Sequence, residues 1–167
     1  DGVTSINKGT FYNCTSLASV KIGRGITFID AGVFSYCSSL KSVHIADLSA
    51  WCKITFDNSS SNPLCKGAKL YLNNNELTEM VIPEGITEIK DYTFYNCGNL
   101  MKVNISTDVN SIGSSAFRNC TSLTSIDISD SVTSIGQYAF SGCSSLQSIV
   151  IPAGVTSIAK QTFYRCR

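Results

Sequence analysis

No apolar run in this 167-residue sequence approaches the roughly 18 to 20 residues needed to cross a bilayer, and the opening D-G-V-T-S-I has neither the charged start nor the apolar stretch of a leader. Charge is scarce: 15% of residues are charged, and 13 basic against 12 acidic side chains leave a net charge of +1 with no basic block. That balance excludes electrostatic capture of nucleic acid or of an anionic membrane surface as the main activity. There is one histidine and no C-x-x-C pair, so the usual tetrahedral zinc sets are missing. A G-x-S-x-G nucleophile elbow is absent, Gly23 and Gly25 flank Arg24 in a turn rather than a phosphate loop, and the carboxylates are scattered singly. The expectation is a chain with no enzymatic activity, no metal and no cofactor. Against these absences stands 43% hydrophobic content, enough to bury one domain core and hardly two.

What is present is a repeat. Cys14 and Cys37 lie about 23 residues apart, and Cys97, Cys120, Cys143 and Cys166 keep the same step. Phe11, Phe34, Phe94, Phe117, Phe140 and Phe163 each precede one of those cysteines by three residues. Two unrelated residue types sharing one period imply a stack of equivalent units. Within each unit an L-x-x-V/I-x-I piece, such as Leu123 to Ile128, ends in the alternation of a strand. A V/I-T-x-I piece, such as Val132 to Ile135, reads as a second, shorter strand, and Gly136 to Phe140 as a single helical or 3-10 turn.

A unit of this size has too few apolar positions to offset its own chain entropy, so it must borrow burial and hydrogen bonds from its neighbours. Stacking in register gives a solenoid with parallel strands about 4.8 Å apart. The expected organisation is a single domain over 1–167, with repeats at about 3–25, 26–48, 86–108, 109–131 and 132–154, an irregular unit at 49–85 and a partial one at 155–167. In the irregular unit the extra chain is expected to bulge on the face opposite the main strands, with Lys69 to Leu72 folding as a hairpin arm against Leu77 to Ile82. Asp57 to Pro63, polar and turn-rich, is expected to be a mobile loop.

The pieces L-x-x-I-x-I, V-T-S-I-G-x-x-A-F and x-x-C-x-S-L, together with L-S-A-W-C-K-I-T-F, S-N-P-L and A-K-L-Y-L-N in the longer unit, resemble the BspA-like, or Treponema pallidum-type, leucine-rich repeats. The resemblance covers nearly the whole chain. It implies a leucine-rich-repeat solenoid, the β-rich form of the α/β horseshoe class with short helical or 3-10 turns. It also implies a secreted or cell-surface protein with a role in adhesion or host contact. The chain starts inside a repeat at Val3 and stops in mid-repeat at Arg167, which reads as a fragment of a longer protein or as open ends that associate with one another.

The six periodic cysteines are expected to form a buried column of small apolar side chains with weak S–H donors. Cys52 and Cys65 fall outside that column, and a local bridge between them stays open. His44, the middle residue of V-H-I, belongs to an outward column and has no nucleophile motif around it. Of the N-x-S/T sequons only Asn58 lies in an expected loop. The surface left for function is the outward strand face: Ser19, Lys21, Ser42, His44, Glu79, Val81, Lys102, Asn104, Ser125, Asp127, Ser148 and Val150. These vary in chemistry while the inward Val, Ile and Leu do not. The expected function is therefore a non-enzymatic module that binds a protein or glycoprotein of a host or cell surface through this face. The competing reading is a structural spacer that displays another domain.

Overall fold

Alternation becomes strand at most levels, where a neighbouring unit completes the ladder, while the alternating pieces at 148–150 and 155–158 stay outside the strands. Ser19–Lys21, Ser42–Ile45, Glu79–Val81, Lys102–Asn104 and Ser125–Asp127 are strands, each turning its middle apolar residue inward and the flanking ones out. They are seen in a computed structural model that describes residues 2–166; Asp1 and Arg167, one at each end of the chain, lie outside the described residues. The V/I-T-x-I pieces form the second column, at Ser5–Ile6, Phe28–Ile29, Glu88–Ile89, Ser111–Ile112 and Ser134–Ile135. Pairing between levels is parallel and in register, with Val103 opposite Met80 and Ile126, and Ile112 opposite Ile89 and Ile135. Equivalent side chains therefore pile into columns.

Between the short strand and the cysteine the chain closes by bonds of 3-10 type, such as Ala139 N–H to the Gly136 carbonyl at 3.3 Å and Cys143 N–H to the Phe140 carbonyl at 3.1 Å. Left-handed residues interrupt them, and at Gly142 (φ 77°) an added Cβ would run into the Asn119 side chain of the level before. Inside this turn the phenylalanines stack. Phe94, Phe117, Phe140 and Phe163 lie 5.3–5.6 Å apart within 13° of parallel, and Phe11 stacks on Phe34 at 5.4 Å. The thiols add a tie between levels: Sγ of Cys37, Cys120, Cys143 and Cys166 donates to the carbonyl of Phe11, Phe94, Phe117 and Phe140 at 3.0–3.3 Å. All eight cysteines are free, so Cys52 and Cys65 are unbridged. Burial pushes the Cys52 thiol up to about 12 and that of Cys65 up to about 11.

The irregular unit departs from expectation in three ways. Asp47 caps the helix Leu48–Lys53 by accepting from Ala50 N–H at 3.0 Å, and the helix buries Trp51 and Cys52. Thr55–Phe56 then joins the short column beside Phe28–Ile29, the 3-10 helix Pro63–Lys66 takes the place of the turn, and Lys69–Leu72 pairs in parallel with Ser42–Ile45. So the extra chain is not a bulge on the far face; it builds a complete third level and contributes a strand to the main face. Second, Lys69–Leu72 turns back through Asn73 and Asn74 (φ 50° and 67°) to pair with Asn75–Glu76, and the contact with the following segment extends only to Leu77. That antiparallel strand occupies the edge on which the next parallel strand would have added, so Glu79–Val81 begins a second sheet. Third, the segment expected to be a mobile loop is folded inward: Ser61, Asn62 and Pro63 are buried, and the Asn58 carboxamide oxygen accepts from Ser60 N–H at 2.9 Å, holding the turn.

Candidate interaction surface

Because Val and Ile fill the inward positions, the flanking residues of each strand have nowhere to go but out. Ser19 and Lys21 are exposed, and Ser42 and His44 are half-buried. The third level brings two residues to this face that sequence reasoning missed: Lys69 lies opposite Ser42 and Tyr71 opposite His44. The imidazole and phenol rings stack at 4.9 Å, 16° from parallel, and Lys69 pairs with Glu76 at 3.0 Å. The signal was the alternation of K-L-Y-L itself, which matches S-V-H-I position for position.

Glu79, Val81, Lys102, Asn104, Ser125 and Asp127 lie together on the second sheet, exposed over a floor of Met80, Val103 and Ile126, around a shallow concavity of about 560 Å³. Lys102 pairs with Glu79 at 3.3 Å, and both side chains are more than half exposed. Ser148 and Val150 are exposed but belong to no strand. The twelve candidates therefore form two patches on two sheets and two outlying residues, not one strip. Among the described residues no three His, Cys, Asp or Glu side chains are grouped to hold a metal ion, and no helix is long and apolar enough to cross a membrane.

A family model described as BspA type Leucine rich repeat region matches residues 1–63 and 67–167, in 6 copies. The chain belongs to the BspA-type leucine-rich repeat family. No curated protein matches the sequence. Among solved structures, a leucine rich cell surface protein from Faecalibacterium prausnitzii is similar at 27% identity and a TM-score of 0.64, over 94% of this chain and 53% of that one. A leucine-rich repeat protein from Eubacterium ventriosum is similar in fold at 22% identity and a TM-score of 0.50, over 99% of this chain and 56% of that one. The chain thus spans about half the length of these solved relatives.

In BspA-type units of this chain the residue before the strand leucine is serine, as at Ser16, Ser39, Ser122 and Ser145. The one asparagine, Asn99, stands where the two sheets meet. Its carboxamide accepts from Leu70 N–H at 3.2 Å and donates to the carbonyls of Leu70 and Leu77 at 3.2 and 2.9 Å. An amide side chain carries the same donor and acceptor as a peptide group, so it replaces the missing ladder rung. Other side chains cross the same seam: Trp51 Nε1 and Asn62 Nδ2 donate to the Thr93 carbonyl, and Lys90 Nζ to the Lys53 carbonyl. The two patches of the strand face are held in fixed relation by these contacts.

Proposed function

We propose that this BspA-type repeat region is a non-enzymatic module, displayed at a cell surface or secreted, that engages a protein or glycoprotein through its outward strand face in adhesion or host contact. One observation carries the reading: the inward columns stay apolar from level to level, as Val20, Val43 and Leu70 and as Met80, Val103 and Ile126, while the outward columns change in chemistry from Lys21 to His44 to Tyr71 and from Val81 to Asn104 to Asp127. A scaffold whose regularity serves packing has left its irregularity on one surface, which is where extended solenoids recognise macromolecules. The similarity to the leucine rich cell surface protein of Faecalibacterium supports the location.

The test replaces Lys21, His44, Lys102 and Asp127 together with alanine and measures binding to immobilised host matrix proteins and to whole cells. Affinity is expected to fall by about tenfold or more, the cost of losing a few interface anchors. Unchanged affinity in a variant with an intact far-ultraviolet spectrum would remove this face and favour the spacer reading, in which adhesion is lost only when a neighbouring domain is deleted.

A further inference from the structure

The break at the seam runs through both strand columns, and its two sides are finished differently. On the main face the edge of Lys69–Leu72 is covered by the chain's own Asn75–Glu76. In the short column one sheet ends at Thr55–Phe56, the next begins at Glu88–Ile89, and no strand lies between them. These two stand further apart than the paired strands of that column. Thr55, Phe56, Glu88, Lys90 and Asp91 line the resulting depression, of about 240 Å³.

The unused groups on its walls are those of a ladder. Elsewhere in the column each level offers two carbonyls to the next: Thr27 and Ile29 accept from Thr55 and Asp57 N–H at 2.9 and 3.1 Å, and Thr87 and Ile89 from Asn110 and Gly113 N–H at 2.8 and 2.7 Å. At the break the equivalent acceptors are the Ile54 and Phe56 carbonyls, and the equivalent donors are the Thr87 and Lys90 N–H groups. None of the four has a hydrogen-bond partner among the described residues. Acceptors on one wall and donors on the other, on strands running the same way, are what the two edges of one further parallel strand require. A sugar or a helix carries no such two-edged row, whereas an extended peptide does. On the main face the chain itself fills the same break with a strand.

The side chains agree. Phe56 and Ile89 are buried and Thr55 and Glu88 exposed, so an added strand would turn one residue in against apolar walls and the next out to solvent. Lys90 Nζ crosses the gap, donating to the Lys53 carbonyl and to Thr55 Oγ1 at 2.9 Å each, and both bonds are exposed. Rotation of that one side chain opens the way.

We propose that the gap between Thr55–Phe56 and Glu88–Ile89 takes an extended peptide of a partner protein, added as a parallel strand with an aliphatic side chain turned inward between Phe56 and Ile89. The site lies on the short column, apart from the main strand face, and does not rest on the function proposed for that face.

The probe is the capped hexapeptide S-V-T-S-I-G, the sequence of residues 131–136, titrated into the isotope-labelled full chain and followed by amide chemical shifts. Shifts are expected at Thr55, Phe56, Thr87 and Lys90. In the intact stack Thr133 and Gly136 N–H donate to the level before, so the same peptide N-methylated at its threonine and final glycine loses the donors aimed at Ile54 and Phe56. It is expected to bind at least about tenfold more weakly. Lys90→Pro deletes an N–H that has no partner, so it is expected to leave the melting temperature nearly unchanged and to weaken binding by about tenfold. Lys90→Ala keeps the N–H and removes the bridging amine, and is expected to bind as well as the parent or better. If Lys90→Pro does not fold, the N-methylated peptide decides. Absence of shifts at these four residues, shifts confined to the two ends of the stack, equal binding of the N-methylated peptide, or equal affinity in folded Lys90→Pro and Lys90→Ala would each overturn the proposal.

Discussion

The levels from Glu79 onward and the seam that joins them to the first three levels solve one problem in two ways. In the later levels the backbone does the joining: Met101 N–H to the Thr78 carbonyl and Gly113 N–H to the Ile89 carbonyl at 2.7 Å, Phe117 N–H to the Ala139 carbonyl at 2.8 Å. At the seam the hairpin Lys69–Leu72 with Asn75–Glu76 has used the edge, and the backbone bond that remains, Leu77 N–H to the Leu70 carbonyl, belongs to the hairpin itself. Side chains take over, led by the buried amides of Asn62 and Asn99. The comparison teaches that a solenoid can restart its sheet in mid-chain provided amide side chains supply the donors and acceptors a strand would have supplied. A ladder rung is spread over many residues, whereas each seam contact depends on one side chain.

The sharpest way to break the regular half is Phe117→Ala, which removes the ring between Phe94 and Phe140. A loss of about 3–5 kcal/mol is expected by chemical denaturation, because the ring is fully buried and its neighbours are fixed by the ladder. A value under about 1 kcal/mol would mean that the stack carries little of the stability. At the seam, Asn99→Ser installs the residue of the other levels and leaves the Leu70 N–H without a partner, at an expected cost of about 2–3 kcal/mol. More telling than the size is the shape of the curve: the variant is expected to unfold in two transitions, since nearest-neighbour contacts are all that couple one half to the other. A single sharp transition would show that the remaining seam contacts suffice.

The smallest effect is alkaline. Burial pushes the Cys97 and Cys143 thiols up to about 12 and that of Cys120 well above its ordinary value, against about 11 for Cys65 beside the seam. Below the unfolded value of 9.0 both states hold these protons and stability is complete. As pH rises beyond it the unfolded chain releases protons that the folded chain keeps, so stability falls up to about 12. The melting temperature is expected to drop over that window, and Cys97→Ala and Cys143→Ala to flatten the slope more than Cys65→Ala. Equal slopes in all three would remove burial as the cause.

Much of this was legible. The Phe and Cys registers announced the level spacing, and the rings of Phe117, Phe140 and Phe163 do stack as that register requires. The alternation in S-V-K, S-V-H-I, K-V-N and S-I-D announced which side chains face out. The path of residues 49–82 was not legible, because the side-chain period of a strand says which face is buried and nothing about which edge accepts it. Lys69–Leu72 has the pattern of a main-face strand and equally that of a hairpin arm; it is both, and only the pairing with Ser42–Ile45 places Lys69 and Tyr71 on the candidate surface. Nor did the turn sequence announce left-handed tyrosines, since a residue type disfavoured in that conformation gives no local sign of being held there.

The sequence by itself determined the repeating unit, its inward columns and the chemistry offered outward, since these follow from local periodicity and from the need of each short unit to bury its apolar side chains against a copy of itself. Tertiary structure alone decided where the sheet stops and restarts, and so which outward residues are neighbours. Strand edges are satisfied by whichever backbone or amide reaches them first in space, and that competition has no counterpart in the order of residues along the chain.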